Sequence, residues 1–477
     1  MMTEEEELLL AFRTGVEVTI GQDRLTMVDD HIQSVVPLQE PGVLAAFTQL
    51  AERPLSEDTL FETVMEVGDS SSAFVLPALL RRLESGGWLR MVFQDGSGRE
   101  LVALEPRGHV LSPITRHVVA SSALVLSSRA IVRSVGERLL AESPLTSWDL
   151  VVSEPSWVAT LLQFTQTMTP TELAEATGTD TATLVTVCDL AVASGLLVFA
   201  DDRVDQAPEL QMWSLPDLWF HTMSRVGSSR GGYGGTFRFE GEIPPEPAVR
   251  PALGELLALP EVDLTTVGVH DPALGEVVRS RRSTRVHNDQ APIGQEELSE
   301  LLARVAAVKE VTFDGHEEVS FRQLPSGGAL HELEIYPLVH HCAGLEPGLY
   351  HYHAGDHGLE LVCPADAKTK LLLEYAQRMS VMESSPQVTL LLAARFNRAM
   401  WKYESMAYSL VLKHVGVMYE ALYLTCAAMG LAGVALGGGN SAAFAAASGL
   451  SMYQEGTVGE FVVGSLPASE PIVASAS

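Results

Sequence analysis

Arg279-Ser280-Arg281-Arg282-Ser283-Thr284-Arg285 places four arginines within seven residues of a chain whose formal net charge is −30. So dense a positive run in so acidic a protein asks for a partner. A phosphate is one: planar guanidinium forks match its oxygens, and Ser283 adds a short hydroxyl donor. A solvated basic turn paired with nearby carboxylates is the other reading, and the run alone does not choose between them.

Two further stretches bear on the choice. Pro325-Ser326-Gly327-Gly328-Ala329-Leu330-His331 follows some forty residues on, and Trp401-Lys402-Tyr403 lies further along. Arg281 to Arg285, followed by Ala291-Pro292-Ile293 and Glu297-Leu298 with Leu301-Leu302, resembles the opening of the FMN-dependent nitroreductase superfamily. Pro325 to Tyr336, with Pro347-Gly348-Leu349-Tyr350-His351-Tyr352, resembles more narrowly its thiazole/oxazole-forming azoline dehydrogenases, the streptolysin, microcin and cyanobactin types. The resemblance runs from about Trp213 to the C-terminus and is specific only in combination.

That resemblance implies FMN, a homodimer intertwined around a long helix, and an α+β fold with a mixed sheet flanked by helices. Matched to the superfamily's opening motif, Arg281, Arg282, Ser283 and Arg285 are phosphate candidates. Pro325, Ser326, Gly327 and Gly328 suit the flavin ring, because glycines let backbone approach closely and a backbone N–H can donate to N5. Gly437 and Gly438, within Gly437-Gly438-Gly439-Asn440, are expected to close around ring or phosphate. His331 is read as a flavin-edge residue or an ordinary histidine. Lys402 and Tyr403 match the family's catalytic pair. Azole formation removes a Cα proton and a hydride; a lysine base should have its pKa lowered by desolvation or nearby cations, and a neighbouring tyrosine can relay the proton. Lys413, followed by His414, is the competing lysine.

Four segments are expected: 1–110 and 111–205, a tandem of winged helix-turn-helix modules; 206–268, a connecting segment; and 269–477, the FMN domain. In the first module a hairpin over 14–28, helices over 42–52, 57–67 and 73–85, and strands at 88–93 and 100–104 give the pattern, with Ser56 as N-cap. The second recurs as a hairpin of 123–127 with 130–134, a helix over 157–167, a Thr169–Glu172 capping box and a helix over 181–194. In the FMN domain, strands are expected near 333–341, 349–353, 359–363, 387–394 and 461–464, and one long helix over 404–430.

Winged helices suggest DNA, but the charges object. Residues 1–200 hold 27 Asp and Glu against 12 Lys and Arg, and no Lys or Arg lies between Arg138 and Arg203. Phosphate anchors are therefore missing, and nucleic acid is disfavoured; no nucleic-acid partner is expected. The resemblance implies another use: the leader of a heterocyclised precursor peptide adds a strand to the 16–28 hairpin beside helix 73–85. Scaffolding is the other reading of these modules. A cyclodehydratase is a further implied partner.

The four cysteines are widely spaced without a CxxC pair, which fits a reducing compartment and no zinc site. The acidic start Glu4 to Glu7 is unlike a signal peptide, so a cytoplasmic protein is expected. The apolar run 415–436 contains Glu420 and is read as a buried helix, not a membrane span. Two functions compete with azoline oxidation: an NAD(P)H-fed nitro- or quinone reductase, which leaves the N-terminal half unexplained, and a flavin-sensing DNA regulator, which the missing basic residues disfavour.

Overall fold

The computed structural model describes residues 7–29, 32–68, 72–108, 116–228 and 232–467. The acidic start through Glu6, the 110/111 boundary and Gly231 lie outside them. The chain divides into two compact units, Met1–Tyr233 and Gly234–Ser477, so the dividing point falls inside the expected connecting segment.

In the N-terminal unit, strands Glu17–Ile20, Arg24–Asp29 and Ile32–Pro37 form an antiparallel sheet in that order. The third strand was not foreseen. It makes Arg24–Asp29 the middle strand and leaves Ile32–Pro37 at an edge. Helices Pro41–Glu52, Glu57–Val67 and Ser72–Ser85 follow. Ser56 caps the second through the Thr59 N–H, and Gly87 at φ 73° lets the chain leave the third. Leu25, Met27, Phe47, Leu60, Val64 and Leu83 are buried together.

Strands Leu89–Gln94 and Glu100–Pro106 join a six-stranded sheet that also contains Glu7–Phe12, Ile131–Val135, Arg138–Glu142 and Trp148–Val152. Strands from both sides of residue 110 thus share one sheet, crossed by the buried Arg107–Asp149 ion pair. The second hairpin differs from expectation. Ile131–Val135 pairs with Arg138–Glu142, turning at Gly136 with φ 60°, while Leu124–Leu126 pairs with Leu197–Phe199. A glycine leading a two-residue turn matches the twist of flanking strands, so the local hairpin forms there. The Thr169–Glu172 capping box opens helix Pro170–Thr177, and Asp180 caps helix Thr181–Ala193.

The C-terminal unit is built on a seven-stranded sheet. Its order is Leu256–Ala258, Gly358–Pro364, Gly348–His353, Leu333–Val339, Val388–Arg395, Glu455–Ser465 and Leu431–Leu436. Every pair is antiparallel, which corrects the expected mixed sheet. Short connections such as that between the strands ending at Val339 and starting at Gly348 allow antiparallel pairing without a crossover. Side chains alternate across the sheet. Leu390, Leu392, Phe461 and Val463 face one core with Val411 and Leu422; Tyr336, Leu338, Leu391 and Ala393 face another with Phe444.

The central helix is Ala407–Met429, shorter than the expected span. Gly430 at φ 69° ends it, and the last part of the apolar run continues as strand Leu431–Leu436, so that run is mostly helix and ends as a strand. No described helix is long and apolar enough to cross a membrane.

Candidate active site

Helix Leu274–Ser280 delivers the arginine run, with Arg281 at its C-cap. Cations suit that end of a helix dipole. Beyond it the chain lies along the central helix and the sheet edge. Ser283 Oγ is 3.0 Å from the Tyr423 hydroxyl, the Arg281 guanidinium stands 5.1 Å from the Tyr423 ring, and Thr284 N–H donates to Gly433 O. Arg285 Nε donates to Ser380 O at 2.9 Å. Gly438 packs against Met379, beside Ser380, so Arg285 and the 437–440 loop meet one helix end. In that loop Gly439 leaves no room for a Cβ, which would overlap Glu460. Burial lifts the Glu460 carboxyl to about 7. Arg279, Arg281, Arg282 and Arg285 form no ion pair with any described carboxylate. An arginine cluster without internal counter-charge fits an external dianion.

The 325–331 loop is tightly turned. Gly328, Ala329 and His331 have φ of 62°, 54° and 47°, and Ser326 Oγ accepts from the His331 N–H. Non-glycine residues held in the left-handed region store strain of about 1–3 kcal/mol each and cluster at functional sites. The loop is clamped from the central helix: Gly327 N–H donates to His414 Nε2 at 2.7 Å, and His414 Nδ1 lies 2.7 Å from buried Glu332. Burial and the Arg322 charge push the His331 imidazole down to about 3, so it is neutral.

Lys402 and Tyr403 come to this loop. A Cβ on Gly328 would lie 2.6 Å from the Tyr403 hydroxyl and 3.3 Å from Lys402 Nζ. Only glycine fits there. The pair does not open the central helix. Lys402 ends a separate helix, Phe396–Lys402; Tyr403-Glu404 then pairs with Gly234-Gly235, and Ser405 at φ 62° breaks the path before Ala407. Lys413 is exposed on the central helix.

Around Lys402 stand residues the sequence reading missed. Strands Val308–Phe313 and Glu318–Arg322 form a hairpin whose turn carries Asp314 and Glu317. Asp314 Oδ2 is 2.9 Å and Glu317 Oε1 3.3 Å from Lys402 Nζ. Asp314-Gly315 between alternating strands is a hairpin signal that was legible. Phe237 stacks on His316 at 4.1 Å and meets Trp401 edge-on, with Lys402 Nζ 5.4 Å from its ring. Burial presses the Lys402 pKa down, but Asp314 and Glu317 outweigh it and the net shift is upward, opposite to the lowering expected.

The arginine run meets the central helix at Tyr423 and the 325–331 loop meets it at His414. Tyr423 and His414 are nine residues apart on one helix, two and a half turns, so they leave it on opposite sides. Among the described residues no group of three or more His, Cys, Asp or Glu side chains is placed to hold a metal.

The C-terminal unit is similar to known oxidoreductases of nitroreductase type. Residues 278–465 match the Nitroreductase family, and residues 124–230 match the cyanobactin oxidase ThcOx family. A Methanocaldococcus jannaschii protein named as a nitroreductase is 27% identical over 169 residues, 35% of this chain and 80% of that one. The trifolitoxin-processing protein TfxB of Rhizobium leguminosarum bv. trifolii is 30% identical over 152 residues, 30% of this chain and 41% of TfxB. Among solved structures, a nitroreductase of Ralstonia eutropha is 25% identical with a TM-score of 0.36, covering 48% of this chain and 100% of its own. The Escherichia coli microcin synthetase McbBCD complex is 20% identical with a TM-score of 0.35, over 48% and 80%.

Proposed function

We propose that this protein is an FMN-dependent dehydrogenase that oxidises thiazolines and oxazolines in a ribosomally made peptide to thiazoles and oxazoles. The observation that carries this is that Lys402 Nζ and Tyr403 Oη both border the space a Cβ on Gly328 would take, in the loop proposed to carry the flavin ring. A base, a phenol and a glycine-walled surface at one point are what removal of a Cα proton beside a hydride acceptor requires. The similarity to the cyanobactin oxidase and to a toxin-processing protein supports a peptide substrate over a small molecule.

FMN, when bound, supplies the two-electron acceptor and is returned to its oxidised form by oxygen. Arg281, Arg282, Ser283 and Arg285 would hold its phosphate with Gly437 and Gly438 nearby. Pro325, Ser326, Gly327 and Gly328 would face its ring. Because these two sets stand on opposite sides of helix Ala407–Met429, each site would take its phosphate half from one copy and its ring half from another, which makes the homodimer necessary to binding.

The tandem modules of the N-terminal unit would take the leader of the precursor peptide. The sheet has two open edges, Glu17–Ile20 and Ile32–Pro37, and the second is the more apolar, with Ile32 59% and Val35 47% exposed; Arg24–Asp29 is paired on both sides and cannot accept a further strand. A cyclodehydratase would make the azolines, and a cytoplasmic setting suits four free, buried cysteines. Incubation with an azoline-bearing peptide, followed by mass spectrometry, tests the reading through the loss of two hydrogens per ring. Anaerobic bleaching of the flavin by NADPH without such loss would favour a nitro- or quinone reductase.

A further inference from the structure

Lys402 is held as an ammonium by two carboxylates, and a charged lysine cannot accept a proton. At or above the ordinary lysine value of 10.5, fewer than about one side chain in three thousand is a free amine at pH 7. The base proposed above therefore needs a route to its neutral form.

The two carboxylates differ. Asp314 is anchored as an anion: its Oδ1 accepts the His316 and Glu317 N–H groups at 3.0 Å, and its side chain is 28% exposed. Burial works against its charge, but those bonds and Lys402 hold it down at about 2. Glu317 is 1% exposed, and neither of its oxygens has a well-aligned hydrogen bond. Its contacts are ion pairs, Lys402 at 3.3 Å and Arg398 Nη1 at 3.7 Å. Burial lifts its carboxyl above the usual range, and Asp314 adds to that, although Arg398 and Lys402 pull the other way. A sequestered, underbonded carboxylate beside an ammonium can take its proton; an anchored, half-wet one is a poor acceptor.

Resting on the azoline dehydrogenase reading, we infer that Glu317 is the internal proton acceptor of Lys402. The lysine N–H bond breaks as the Glu317 O–H bond forms, leaving amine and carboxylic acid. The amine then takes the azoline Cα proton, the Cα electron pair becomes the ring double bond, and the neighbouring carbon releases hydride to the flavin. The Glu317 proton returns to water on the side of Asp314. Charge on the pair stays zero until the Cα proton arrives, so no bare charge is created in the dry site. Glu317 acts through Lys402 and is a positioning residue in this scheme.

The groups facing the pair are Asp314, Arg398 and the Tyr403 hydroxyl; His316 is turned to Glu240 and Phe237. The active form carries one proton shared between Lys402 and Glu317, so the two titrate as a unit. The test compares two readouts. One is the pH dependence of single-turnover azole formation. The other is the ¹⁵N signal of Lys402 in protein labelled at its five lysines, assigned with Lys402→Met. In the wild type the rate is flat through neutral pH and its acid limb lies several pH units below the Lys402 titration. In Glu317→Gln the loss of a negative charge lowers the ¹⁵N titration, yet the kinetic limb rises to meet it and the rate at pH 7 falls at least about tenfold. Asp314→Asn keeps the flat profile.

A wild-type rate that climbs with pH until the Lys402 signal itself titrates overturns the inference. So does a Glu317→Gln limb that moves downward. The wild-type comparison decides even if Glu317→Gln does not fold. Full activity in Lys402→Met would instead remove Lys402 as base, a different failure from that of the relay.

Discussion

At Gly328 the backbone conformation and the space agree. With φ 62° and a Tyr403 hydroxyl 2.6 Å from any Cβ, Gly328→Ala must strain the loop or displace the tyrosine. We expect it to lower the azole-forming rate at least about tenfold while the circular dichroism stays that of the wild type. Lys402→Ala is expected to keep its flavin colour and lose at least about a hundredfold in rate, measured in single turnovers. Glu460 gives a stability prediction. Its folded carboxyl, at about 7, lies above the ordinary 4.5, so its contribution is full below about pH 4.5 and is lost as pH rises through 7. Glu460→Gln does not titrate; its denaturation midpoint relative to wild type should rise between pH 5 and 7 and level off above, by on the order of 3 kcal/mol in all. A constant difference across that range would contradict this.

Among the elements, the edge strand Ile32–Pro37 carries the most specific expectation. Val35→Pro removes its N–H and kinks the edge, so leader affinity measured by fluorescence anisotropy should fall at least about tenfold, with turnover of leaderless azoline unchanged. This strand was invisible in the sequence because Ile32-Gln33-Ser34-Val35-Val36-Pro37 follows two strands already paired as a hairpin, and its proline reads as a stop. The helices were more legible: Ser56 and Thr169 announce their caps by side-chain chemistry that acts within three residues. The strand at 123–127 was assigned the wrong partner since pairing with Leu197–Phe199 is a long-range choice that no local pattern encodes. The surroundings of Lys402 divide the same way. Motifs picked out Lys402 and the 325–328 loop, whereas Asp314, Glu317 and Glu332 reach the site only through tertiary folding of ordinary acidic residues.

For the molecule as a whole, the proposed division of flavin contacts across the central helix has a consequence for assembly. Co-folding an Arg281→Ala/Arg285→Ala chain with a Gly328→Ala/Lys402→Ala chain should restore activity that neither has alone. Random pairing makes half of the dimers hybrid, each with one intact site of two, so about a quarter of wild-type activity returns. No recovery would place the whole site within one chain. In the proposed arrangement the four arginines would meet their counter-charge on a bound phosphate. The most direct measurement is mass spectrometry of an azoline-bearing peptide after incubation with the FMN-loaded protein in air. Loss of two hydrogens from each ring, abolished in Lys402→Ala that retains its flavin, is the predicted result. An unchanged peptide mass beside a flavin that NADPH readily bleaches would contradict the account.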